Sequence, residues 1–235
     1  MAFQTSAFLK GKLGNIVFYT RNGRHIARSV PDKVRQTDAT KQRSKNFGIA
    51  SAAGKPLRGL LAPVLPFPKD RSMQVRFSGV LAKWLALQQV HELVPQRPLP
   101  FVTGFCFNPA TSITERVRIP FRIETQDASG VRIIVPAFVP VKSISAPAHT
   151  TLVDVHFSVA SCNLLKAAAT GSSIQSIRIP YTSSLQPEQE LFFPVAAVPG
   201  SVVLVAASVI YTLQNGKQEL RPAFLPSAVI DAWYL

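Results

Sequence analysis

Leu191-Phe-Phe-Pro-Val-Ala-Ala-Val-Pro-Gly-Ser-Val-Val-Leu-Val-Ala-Ala-Ser-Val-Ile-Tyr-Thr-Leu-Gln-Asn-Gly216 carries no charged residue, and its reading decides the fold class. About 20 apolar residues in a row can span a bilayer as a helix. Pro194, Pro199 and Gly200 interrupt this run, valines and hydroxyls populate it, and Asn215-Gly216 closes it with a hairpin dipeptide. The stretch reads as buried β-strands, and no membrane association is expected.

The surroundings agree. Residues 116–119 and 153–157 alternate apolar and polar with period two, as half-buried strands do. Further short strands are expected at 131–139, 174–181 and 190–197, with 202–212 pairing to 218–224 across Asn215-Gly216. Residues 109–115 and 182–189 read as loops. Residues 97–235 are thus expected to form an antiparallel β-sandwich body, one large or two small. Nineteen prolines against 12 glycines argue in the same direction, because proline ends helices.

Toward the amino terminus the pattern changes. Residues 34–96 read as helical, with Thr37 or Thr40 capping a helix that runs to about Ala53. Phe47, Ala50, Leu57 and Leu61 recur at helical spacing, and Phe47 is expected in the core. Gly54-Lys55-Pro56 is expected to break or kink the helix, and Pro63, Pro66 and Pro68 to form an extended joint. A second helix is expected over 71–93, with Phe77, Val80, Leu81, Trp84 and Leu85 on one face. Earlier still, β-rich runs at 16–19 and 25–28 flank Arg21-Asn22-Gly23-Arg24, and Asn-Gly between such runs is the strongest short hairpin signal. The fold expected is mainly β with an α-helical amino-terminal region: a basic hairpin-and-helix module over 1–96, then the sandwich body.

Charge divides the chain along similar lines. The formal net charge is +14, yet only 16% of residues are charged while 47% are hydrophobic; soluble domains average about 25% charged. That apolar content excludes a disordered basic tail protein. Residues 1–76 hold 15 Lys and Arg against three Asp, a net +12, whereas 77–235 are nearly neutral at +2. Arg21, Arg24, Arg28, Lys33, Arg35, Lys41, Arg43 and Lys45 fall within 25 positions and are the candidate contacts to nucleic acid or an acidic partner. Phe18, Tyr19 and Phe47 are candidates for stacking on bases. No helix-turn-helix, zinc finger or RNP signature accompanies them, so contacts would go to the backbone rather than to base sequence.

Gly11-Lys-Leu-Gly14-Asn15-Ile-Val17-Phe-Tyr19, with Arg21-Asn22-Gly23, Arg28-Ser29, Pro31, Thr37-Asp-Ala39, Arg43 and Phe47, resembles the amino-terminal signature of uncharacterised proteins from Bacteroidota and their phages. Where typical members place Gln after Thr-x-Ala, this chain has Thr40, with Gln42 two positions on. The likeness covers about the first 60 residues. It implies a basic hairpin-plus-helix module followed by β-sandwich structure, and it brings no catalytic residue with it.

Catalytic motifs are wanting. Gly48 and Gly54 are separated by five residues rather than four, and Lys55 precedes Pro56 instead of Ser or Thr, so phosphates would not be cradled as in a P-loop. G-x-G-x-x-G, H-E-x-x-H, G-x-S-x-G and C-x-x-C are all missing. His25, His91, His149 and His156 are scattered; Asp154 and His156 share a strand face but lack converging ligands. Cys106 and Cys162 read as buried thiols of a cytosolic chain. The start, Met-Ala-Phe-Gln-Thr-Ser-Ala-Phe-Leu-Lys, is not that of a secretory signal, so a cytoplasmic or particle-associated location is expected. The expectation is a non-enzymatic structural or assembly protein without cofactor or metal. Its basic arm would dock on nucleic acid or an acidic partner within a larger, phage-like particle. The alternative is a sequence-nonspecific nucleic-acid-binding module on a β-sandwich scaffold.

Overall fold

The computed structural model describes residues 2–5, 8–30, 36–65, 71–88, 93–126, 130–195 and 198–235. The chain is mainly β, its strands antiparallel throughout, and it divides into two units, Met1–Lys41 and Gln42–Leu235.

The first unit is a meander of β1 (Ala2–Thr5), β2 (Phe8–Leu13), β3 (Ile16–Arg21) and β4 (Arg24–Ser29), in the order β1-β2-β3-β4. Asn22 and Gly23 both take positive φ, 50° and 73°, as a type I′ turn demands, and this sets Arg21 opposite Arg24 and Ile16 opposite Ser29. The expected hairpin is therefore the second half of a four-stranded sheet. Among residues 8–30 and 36–41, none is buried.

Helix α1 (Asp38–Leu60) begins just before the second unit. Thr37 caps it, its Oγ1 accepting the Thr40 N–H at 3.2 Å. Its buried line is Asn46, Ala50, Ala53, Gly54 and Leu57, spacings of three and four that mark one helical face. One expectation fails here. Phe47 is 47% exposed, because Asn46 occupies the buried position and its neighbour lies about 100° around the axis. Of the break or kink expected at Pro56, the break does not occur, and the helix continues through it. Interior proline costs about 3 kcal/mol, and burial of Ala53, Leu57 and Leu61 at 0% exposure outweighs it. Gly54 allows α1 to approach α2 (Arg71–Leu87), since a Cβ there would meet Ser78 Oγ at 3.2 Å. Phe77, Leu81, Trp84 and Leu85 of α2 are fully buried. The helix stops at Leu87 rather than near 93, and Pro63 lies in a single 3-10 turn, Ala62–Val64; Pro66, Pro68 and His91 lie outside the described residues.

Both helices share a hydrophobic core with the strands of the second unit. The apolar stripes of the two helices pack on the rest of the second unit, as amphipathic helices do.

That body holds two sheets. Strands β5 (Arg122–Gln126), β6 (Gly130–Val135) and β9 (Gln189–Phe193) form one, in the order β5-β6-β9. Strands β7 (Thr150–Asn163), β8 (Ala168–Pro180), β10 (Ser201–Leu213) and β11 (Ser227–Tyr234) form the other, in the order β11-β10-β7-β8. Ser158 donates to the Leu60 carbonyl (3.4 Å) and Ser227 to that of Val64, so helical residues cover one face of the larger sheet. On the other face Phe157 meets Phe121 edge-on at 5.2 Å, and Gln175 donates to the Phe192 carbonyl of β9. With both faces covered, β10 is buried from Ser201 to Val209, which is why its sequence is uncharged and without alternation. The 191–216 stretch is split between the two sheets as the end of β9 and all of β10. No helix among the described residues is long and apolar enough to cross a membrane.

Other strand expectations need correcting. Residues 113–116 form one helical turn, and Val117 makes only a single bridge to Ile144. Residues 218–224 do not pair along β10. Thr212 bridges Gln218 alone, and β10 pairs instead with β11 and β7. Pro222 lacks the N–H that a ladder needs, and the segment turns into a 3-10 turn, Pro222–Phe224.

Glu219 secures that departure. It is 6% exposed and binds Arg221 through both oxygens, Nε at 2.9 Å and Nη2 at 2.5 Å. The Arg221 side chain is the main reason its pKa falls from 4.5 to about 2. A carboxylate held ionised in this way stabilises the fold above its unfolded value, and that stability is lost as pH falls through the folded value. Unfolding free energy should decline between pH 4.5 and about 2, and Glu219→Gln should flatten that part of the decline in denaturant titrations across the window.

Candidate functional site

The first unit segregates its side chains by face. Residues opposite each other in an antiparallel pair, and residues two apart on a strand, share a face. Val17 opposes both Lys12 and Arg28, Tyr19 opposes Ile26, and Arg21 opposes Arg24. Lys12, Val17, Tyr19, Arg21, Arg24, Ile26 and Arg28 therefore occupy one face. The Arg28 guanidinium carbon lies 5.9 Å from the Tyr19 ring centroid, a diagonal cation–π contact that confirms the assignment. The layout is three rows: Arg21 and Arg24 at the tip, Tyr19 and Ile26 in the middle, Lys12, Val17 and Arg28 behind.

The opposite face carries apolar side chains. Leu13, Ile16, Phe18 and Ala27 lie on it, with Thr20 hydrogen-bonded to His25 (Oγ1 to Nδ1, 3.2 Å). Phe8 stacks on the His25 ring at 3.5 Å. Leu13 and Ile16 are 59% and 44% exposed, an apolar face that lacks burial.

Of the eight candidate cations, three share one face of the first unit. Arg21, Arg24 and Arg28 converge on the basic face. Lys33 and Arg35 lie outside the described residues. Lys41 is exposed at the end of the first unit and pairs with Asp38 at 3.2 Å, while Arg43 and Lys45 are exposed on α1 in the second unit. Residues two apart on a helix do not face one another, so Arg43 does not join Lys41 and Lys45. Of the aromatic candidates only Tyr19 stands among the cations; Phe18 is on the other face, and Phe47 is in the second unit. Lys12 was missed, although the two-residue Gly14-Asn15 loop, which sets Lys12 opposite Val17, was its signal.

Elsewhere the polar groups serve the fold. Asp154 is held by Arg178 across the β7–β8 pair at 2.8 Å, and this raises the Arg178 pKa. Gly48 and Gly54 lie within α1, where their backbone N–H groups are used by the helix. Arg116 and Arg221 both stack on Phe224, at 4.5 and 4.9 Å. Among the described residues no three His, Cys, Asp or Glu gather as metal ligands. Cys162 is buried as expected, and burial raises its pKa, whereas Cys106 is only half-buried.

No protein-family model matches the chain, and a search of curated proteins finds no match.

Proposed function

We propose that this chain is a non-enzymatic structural or assembly protein whose first unit docks on a polyanionic partner through the basic face of its sheet. The observation that carries this reading is the separation of faces: Lys12, Arg21, Arg24 and Arg28 on one side, Leu13, Ile16 and Phe18 on the other. A sheet with no buried residue among those whose burial is described, 8–30, gains little from its own core, so contact with a partner is its natural source of order. The second unit, with its two sheets taken as the sandwich body, supplies the protein–protein surfaces; Leu185, Leu220, Leu165 and Val75 are 58–66% exposed on it. The resemblance to proteins of Bacteroidota phages inclines the setting toward a particle.

Light scattering and polyanion binding, each at low and high salt, test this. We expect an oligomer whose mass is insensitive to salt, together with polyanion binding that weakens steeply as salt rises, because bound phosphates release counterions. A strict monomer overturns the assembly part. Binding with a flat salt dependence overturns the electrostatic part.

A further inference from the structure

Given that polyanion reading, we infer that the basic face selects single-stranded nucleic acid over duplex. The inference rests on three features of the face. First, the two cationic rows are four residues apart on β4, Arg24 and Arg28, which is about 13 Å at the rise of an extended strand. Second, the row between them holds an aromatic ring, Tyr19, beside Ile26. Phosphates can meet the outer rows while a base between them lies on the ring. Stacking of this kind accepts any base, because every base has a π-face.

Third, the sheet is broad. Four strands at about 4.8 Å spacing span about 14 Å between the outer strands, more than the roughly 12 Å width of the major groove. Tyr19 is half-buried among its neighbours rather than projecting from them. A broad face with a recessed ring does not reach bases inside a duplex, but it does reach bases splayed from a flexible single strand. An acidic protein surface would satisfy the cations yet leave the ring between them without a matching group.

The test uses the full chain and three probes in fluorescence anisotropy over a series of salt concentrations: fluorescein-labelled oligo-dT, the same strand annealed to oligo-dA, and labelled heparin, a polyanion without bases. We expect oligo-dT to bind about tenfold more tightly than the duplex. Tyr19→Leu should remove that advantage while leaving heparin binding and the salt slope unchanged, and Tyr19→Phe should restore it. A circular dichroism spectrum and thermal transition matching the parent chain show that the Leu variant is folded. If the duplex binds as well as the single strand, or if Tyr19→Leu leaves oligo-dT affinity intact, the single-strand inference falls and the polyanion reading stands. If none of the three probes binds even at low salt, both fall.

Discussion

Trp84→Ala should lower the unfolding free energy of the second unit by about 3–5 kcal/mol, the usual cost of truncating a large buried aromatic residue. Trp84 is fully buried on α2, its Nε1 donates to Gln96 Oε1 at 3.0 Å, and its ring lies 5.5 Å from that of Tyr234 on β11. The change removes the packing and leaves Gln96 with one donor fewer, so Trp84→Phe should be milder than Ala. Denaturant titration followed by a β-sensitive signal is the informative measurement. Because α2 and β11 share a core, the sheet transition itself should move to lower denaturant. A sheet transition that stays in place while helix content melts early would support an independent module over residues 1–96.

The second large effect concerns the basic face. Replacing Arg21, Arg24 and Arg28 together with Gln should weaken polyanion binding on the order of 100-fold near physiological salt, since each lost phosphate contact removes about 0.7–0.9 from the log–log salt slope. All three side chains are exposed, so the substitution should leave stability nearly unchanged. Arg43→Gln with Lys45→Gln and Lys55→Gln is the matched comparison, removing the same number of exposed cations from α1. Its smaller effect would show that the face, and not net charge, does the binding. Equal losses in the two variants would overturn that assignment.

Local signals were legible where a single residue type forces the backbone. Asn22-Gly23 marked its turn because positive φ at two successive positions leaves few choices. The α2 stripe was legible because four large apolar residues keep helical register. What escaped was decided by tertiary packing. Pro56 marks a helix end locally, yet α1 is held on both sides of it by core contacts. Asn46 is buried and Phe47 exposed, the reverse of their hydropathy, because Ala50, Ala53 and Leu57 fix the angle of the face. Pro222 and Pro226 turn the chain away from the expected hairpin and delay the true partner of β10 until Ser227. The cations were legible one by one, but their grouping was not: division into faces follows strand register, and division into units follows the core.

The two sheets of the second unit are interleaved along the chain. β5 and β6 precede β7 and β8, β9 then returns to the smaller sheet, and β10 and β11 complete the larger one. Neither sheet is finished by a contiguous segment, and β10 must find β7 after an intervening excursion through β8 and β9. Closing such loops costs entropy before any pairing repays it, which slows folding and makes it cooperative. Limited proteolysis in the loop between β8 and β9 should therefore yield two fragments that stay together and unfold together, with neither half surviving alone.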